Sequence, residues 1–201
     1  MNRETEVLGR SLRLALERHK LAAIPRLRHL SERNVRQGFF ESGDFEAVVA
    51  TLPDSLKDLA RFAFLTGWRR GEIVGLRWSN VDRDGGVIRL GDSKNGRGRV
   101  LALDGDLRAL IERRIKARAL ITDLVFHVDG EPIVDFRKSW ASACKAAGVS
   151  GRLFHDLRRT AIRNMVRAGV REGVAMAISG HRTRSVFDAT SSSTRPTFAT
   201  R

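Results

Sequence analysis

The chain has 201 residues, 42% hydrophobic and 30% charged, enough for one packed domain plus a fragment. No apolar run approaches the ~20 residues that cross a bilayer, and Arg3, Glu4, Glu6 and Arg10 break any secretory signal core, so neither a membrane span nor a signal peptide is expected. A net charge of +14, carried mostly by arginine, points to a polyanionic partner, while the lone Cys144 excludes an internal disulfide and fits a reducing cytoplasm.

Asn2 to Lys20 reads as one helix, with Leu8, Leu12, Ala15 and Leu16 at apolar spacing. Leu21 to Gln37 holds Pro25 and no sustained period. It reads as a linker whose Arg26, Arg28, Arg33 and Arg36 suit either a phosphate backbone or plain solvent. Ser42 or Asp44 caps a helix carrying Phe45, Val48 and Val49, and Pro53-Asp54 opens another, Ser55 to Leu65. Thr66-Gly67 ends that helix, the glycine supplying a left-handed conformation. A further helix is expected from about Arg70 to Trp78. Arg69 then sits at the junction, where a buried guanidinium oriented by Glu72 is expected.

Val87 to Leu90 and Arg99 to Leu103 read as short strands after a turn at Asp84-Gly85-Gly86. Asn95-Gly96 between them is a strong hairpin signal, with Lys94 just before the turn. Asp104 to Ala119 reads as a surface helix, Val125-Phe126-His127 as a third strand, and Phe136 to Ala147 as a helix with Trp140 inward. Phe154-His155-Asp156-Leu157-Arg158-Arg159-Thr160 opens the next helix, and one from about Arg171 to Ile178 delivers Ser179-Gly180-His181. The fold class is mainly α with a small antiparallel β-sheet, α+β.

His155 and Arg158 lie three apart, so they leave the helix axis only about 60° apart and donate toward one point. Two convergent donors on a rigid support suit a phosphate; alone, the same pair more often describes a solvated helix face.

Taken in order, Thr66-Gly67-Trp68-Arg69-Arg70-Gly71-Glu72, Ser93-Lys94-Asn95-Gly96-Arg97, His155-Asp156-Leu157-Arg158 and Ser179-Gly180-His181 resemble the tyrosine recombinase (phage integrase) family, over roughly Ser31 to Asp188. The resemblance implies a DNA breaking-rejoining catalytic domain at 38–188. Before it, 1–37 would be the last helix of a truncated core-binding domain plus an interdomain linker. It implies double-stranded DNA as partner, self-assembly on DNA, a bacterial or phage-type cytoplasmic, nucleoid-associated setting, and no metal or other cofactor. Arg69 and Arg158 would hold the non-bridging phosphate oxygens, a service worth roughly 10³–10⁵ in rate in phosphoryl transfer. Lys94 would protonate the leaving 5′-oxygen, His155 would act as general acid/base, and His181 would donate a further hydrogen bond. Arg70, Arg97, Arg99 and Arg159 are further candidates for the DNA backbone.

The family attacks with a tyrosine about nine residues after Gly-His. This sequence contains no tyrosine, and that position holds Thr190, whose hydroxyl is less acidic and reaches less far. A one-base deletion in codons for Asp-Arg-Tyr reads Asp-Ala-Thr, which is Asp188-Ala189-Thr190. The expectation is a disordered, frame-shifted tail at 189–201, where seven of thirteen residues are Ser or Thr. The nucleophile would then be absent, and covalent cleavage lost. Two alternatives remain: a non-catalytic DNA-binding remnant or competitor of a mobile-element integrase, and an unrelated basic protein that binds RNA.

Overall fold

In the computed structural model, which describes residues 2–28, 30, 38–91, 98–181 and 183–191, the chain forms two compact units, 1–36 and 37–201. The first is built on helix α1 (Asn2–Glu17), which buries none of its residues. The helix is shorter than its apolar pattern suggested, because the chain turns through a left-handed His19. The Asn2 side chain exchanges two 2.8 Å hydrogen bonds with the Leu30 backbone and pins this unit's two ends together. The linker arginines Arg33 and Arg36 lie outside the described residues.

The second unit is organised around α3 (Asp54–Thr66), which packs against α2 (Ser42–Thr51), α4 (Arg70–Val74), α5 (Gly105–Lys116) and α7 (Asp156–Arg167). Its period places Leu56, Leu59, Ala60, Phe62 and Ala63 inside. Burying each large apolar side chain stabilises the unit by about 1.5–3 kcal/mol. Phe62 meets Trp68 and Phe126 edge-on, with ring centres 5.3 and 5.5 Å away. Helix α4 stops at Val74, well short of the expected Trp78. Gly75 follows, and a 3₁₀ turn, Trp78–Asn80, takes over.

Strands β1 (Val81–Asp82), β2 (Val87–Leu90) and β3 (Arg99–Ala102) form an antiparallel sheet in that order. Its register pairs Ile88 with Leu101 and Leu90 with Arg99, so the buried faces of Ile88 and Leu101 coincide. The expected turn with Lys94, Asn95, Gly96 and Arg97 lies outside the described residues. The expected third strand at 125–127 is displaced. Val125 and Phe126 are core, while β4 (His127–Val128) pairs with β5 (Glu131–Pro132) as a separate small hairpin. Helix α6 (Arg137–Ala146) buries Trp140 and Cys144, and Trp140 Nε1 donates to Arg152 O at 3.1 Å.

Residues 38–41 lie along α7. Phe40 N donates to Thr160 Oγ1 at 3.0 Å, and Arg163 reaches Phe40 O and the Glu41 carboxylate at 2.7 and 2.6 Å. After α8 (Glu172–Ser179) the chain forms α9 (Arg184–Ser191), which sequence reading did not anticipate. Phe187, buried against Ile162 and Ala175, holds α9 in place. Helical backbone therefore runs three residues beyond Asp188, where composition had placed the start of a disordered tail. The anchor at Phe187 carries the helix backbone on through Thr190 and Ser191. Residues 192–201 lie outside the described set.

Candidate functional site

Two left-handed glycines shape the site. Gly67 (φ +64°) ends α3 and Gly180 (φ +72°) ends α8, as the Thr-Gly and Ser-Gly pairs suggested. Ending a helix leaves carbonyls without intrahelical partners. Arg158 takes two of them, its Nη1 donating to Gly67 O at 2.6 Å and Ser179 O at 2.5 Å. Two helix C-termini, each carrying partial negative charge, thus hold the guanidinium of Arg158, a residue only 4% exposed. A Cβ at Gly67 would press on Ala161 at 3.2 Å and on Arg158 O at 3.3 Å, so the close approach of α3 to α7 also needs glycine.

His181 follows directly. Its protonation pattern comes from counting donors. Ser179 Oγ spends its hydrogen on Ala175 O at 2.6 Å, so it accepts from His181 Nδ1 at 2.8 Å. That leaves the Nε2 lone pair facing Arg158 Nη2 at 3.0 Å, and Thr190 Oγ1 stands 3.4 Å from the same nitrogen. Burial, then Arg158, Arg69, His155 and Arg99, push the His181 imidazolium down to about 3. Donation to a phosphate from Nε2 therefore requires an anion close enough to bring a proton back to it. Arg158 is itself pushed down to about 10, by burial and then by Arg69.

Arg69 departs from expectation. Its guanidinium is 51% exposed rather than buried, because as the N-cap of α4 it lies along the surface over Glu72. Its Nη1 meets Glu72 Oε1 at 3.1 Å and its Nη2 donates to Gly180 O at 3.4 Å. The Glu72 carboxylate also accepts from the Arg69 backbone at 2.9 Å and pairs with Arg99 Nη2 at 2.7 Å. Burial raises the Glu72 carboxyl, but the hydrogen bonds from Arg99 and Arg69 outweigh it and hold it below the ordinary value.

Two arginines expected at the DNA backbone are turned inward. Arg99 is only 15% exposed, lies over the Trp68 ring and reaches the end of α8 at Ile178 O. The sequence carried a signal for this: Arg99 and Leu101 share one face of β3, and Leu101 is core. Arg159 is buried too, its guanidinium 5.0 Å from the centre of the Phe39 ring, which Arg163 approaches at 4.9 Å. Arg70 remains exposed, near the Phe136 ring. Lys94 and Arg97 lie outside the described residues.

His155 is the N-cap of α7, with an exposed side chain. Partial loss of hydration, then Arg158, hold its pKa below the usual imidazole value, and the cations Arg159 and Arg69 add to this against Asp156. Asp156 itself is buried and accepts from Leu153 N at 2.8 Å. Thus Arg69, Arg99, His155, Arg158 and His181, drawn from four chain segments, act electrostatically on one another. Among the described residues no cluster of His, Cys, Asp or Glu could hold a metal ion. None of the described helices is long and apolar enough to cross a membrane.

The fold and this cationic cradle define a mainly helical α+β unit built around a buried arginine. A profile of the Phage integrase family matches residues 41–189, and the chain belongs to that family. It is similar to the shufflon-specific DNA recombinase of Escherichia coli, with 30% identity over 126 residues, 62% of this chain and 31% of the relative. It is also similar to the integrase of Salmonella phage P22, with 28% identity over 161 residues, 74% of this chain and 42% of the relative. The chain spans less than half the length of the curated relatives it matches. Its fold is shared with lambda integrase, solved as a tetramer on a Holliday junction (TM-score 0.76, 16% identity, 98% of this chain and 60% of that one). The Tn1549 transposon integrase, solved with circular intermediate DNA, shares it as well (TM-score 0.75, 16% identity, 98% and 75%).

Proposed function

We propose that 38–188, extended by the rest of α9, is the strand-exchange domain of a site-specific DNA recombinase, and that it grips a backbone phosphate of double-stranded DNA. The observation that carries this reading is the meeting of Arg69, Arg158 and His181 at the ends of α3 and α8, where three guanidinium groups, those of Arg69, Arg99 and Arg158, stand about the Glu72 carboxylate. Arg69 and Arg158 neutralise the non-bridging oxygens, Lys94 and His155 serve proton transfer to the leaving 5′-oxygen, and Glu72 orients Arg69. Residues 1–37 are assigned as the last helix of a core-binding domain and the interdomain linker. The named relatives include an integrase solved as a tetramer on DNA, which supports assembly of this chain on DNA too. The setting is the bacterial cytoplasm, at the nucleoid.

Phosphotyrosyl transfer needs a phenol, and with Thr190 at that place the chain binds without forming a covalent link. A nicked suicide duplex tests this. No DNA-linked band is expected from the chain as it stands, and one is expected after the paired changes Ala189→Arg and Thr190→Tyr in a chain given a helix beyond them. A covalent band from the unaltered chain overturns the loss of attack. A preference for single-stranded RNA over duplex DNA overturns the recombinase reading itself.

A further inference from the structure

The cradle is over-supplied with positive charge. Among the described residues, the guanidinium groups of Arg69, Arg99 and Arg158 surround one carboxylate, Glu72, an excess of two charges. Asp156 and Arg159, which also act on His155, offset each other. A phosphodiester brings one negative charge to such a site, whereas a phosphomonoester brings about two at neutral pH. The third terminal oxygen of a monoester also needs a donor, and the structure supplies one. Thr190 Oγ1 stands 3.4 Å from His181 Nε2 on the first described helix after the Gly180 turn. In the free protein it donates to Val186 O at 2.8 Å, a bond within its own helix that a hydroxyl rotation exchanges for an anion. Side-chain hydroxyl, imidazole and buried guanidinium thereby line one spot.

Resting on the reading above that this site grips DNA phosphate, we propose that it takes a terminal phosphomonoester of a DNA strand in preference to an internal phosphodiester, with the Thr190 hydroxyl as a ligand of the additional oxygen. His181 and His155 both have lowered proton affinities, set in part by the neighbouring arginines. When a dianion arrives it counters those cations, and the imidazoles become able to hold a proton and donate. No bond is made or broken in this binding.

The test uses the full chain and four duplexes of one sequence: intact, nicked with two hydroxyl ends, nicked with a 3′-phosphate, and nicked with a 5′-phosphate. Fluorescence anisotropy at pH 7.5 is expected to show one phosphorylated nick bound about tenfold more tightly than the hydroxyl nick, as charge-assisted hydrogen bonds imply. Excess inorganic phosphate should erase the difference. Thr190→Val, which removes only the hydroxyl, should cut the preference at least about threefold, while Thr190→Ser should retain it. The preference should also shrink below about pH 6, where the monoester dianion takes up a proton and becomes a monoanion. Equal binding of all four duplexes overturns this inference and leaves the DNA reading standing, whereas binding of none overturns the DNA reading. A preference untouched by Thr190→Val removes Thr190 from the site and overturns its role.

Discussion

Arg158 and Arg69 are assigned the same task and are held in opposite ways. Arg158 is locked behind α3 and α8 by two backbone carbonyls, whereas Arg69 lies half in solvent over a carboxylate it shares with Arg99. One half of the cradle is part of the folded core; the other can adjust to what it binds. The difference teaches that losing a charge from this site does not have one fixed cost. In the locked half a substitution unpicks the fold, and in the open half it changes binding alone.

The sharpest way to break the comparison is Arg158→Ala. It orphans the Gly67 and Ser179 carbonyls and should lower stability by about 3 kcal/mol, read as a lower urea midpoint with unchanged slope. A shift below about 1 kcal/mol would show that the arginine is not structural. Gly180→Ala comes next, at about 2 kcal/mol, because the new Cβ meets the Arg99 guanidinium at a backbone φ of +72°. Gly43→Ala, where a Cβ meets nothing within 4 Å inside α2, should instead stabilise slightly.

Acid should act on the locked half. His181 is held near 3 in the folded chain, below the ordinary imidazole value of about 6.5, so between these values the unfolded chain binds more protons. Stability should therefore fall as pH drops through that window, and urea midpoints between pH 7 and pH 4 measure it. His181→Gln should flatten the slope; an unchanged slope would mean that this imidazole is not the group responsible. The smallest effect on stability is expected for Arg69→Ala, within about 0.5 kcal/mol for an exposed ion pair, together with a several-fold loss of duplex affinity. If stability falls as far as in Arg158→Ala, the two halves are not different.

Much of the site was legible because its residues punctuate the chain. Thr66-Gly67 and Ser179-Gly180 announce helix ends, since a left-handed residue there favours glycine, and the candidate side chains Arg69 and His181 follow those ends. Arg159 was misread because nothing local tells a solvated arginine from one laid against Phe39, a hundred and twenty residues earlier. Arg99 was misread for another reason: alternation along β3 shows which way it faces, but a cation is ordinarily assumed to point outward. Helix α9 was missed because its polar composition hides its buried anchor, Phe187.

The sequence by itself determined the helical periods, the two glycine stops, the excess of positive charge and the absence of a phenol, because each is a property of local covalent chemistry or of composition. Only the tertiary structure decided that α3 and α8 aim their carbonyl ends at one arginine, that Glu72 is shared, and that Thr190 faces His181. Those facts depend on packing between segments far apart in the chain, where burial and charge pairing select among arrangements that local sequence leaves equal in energy.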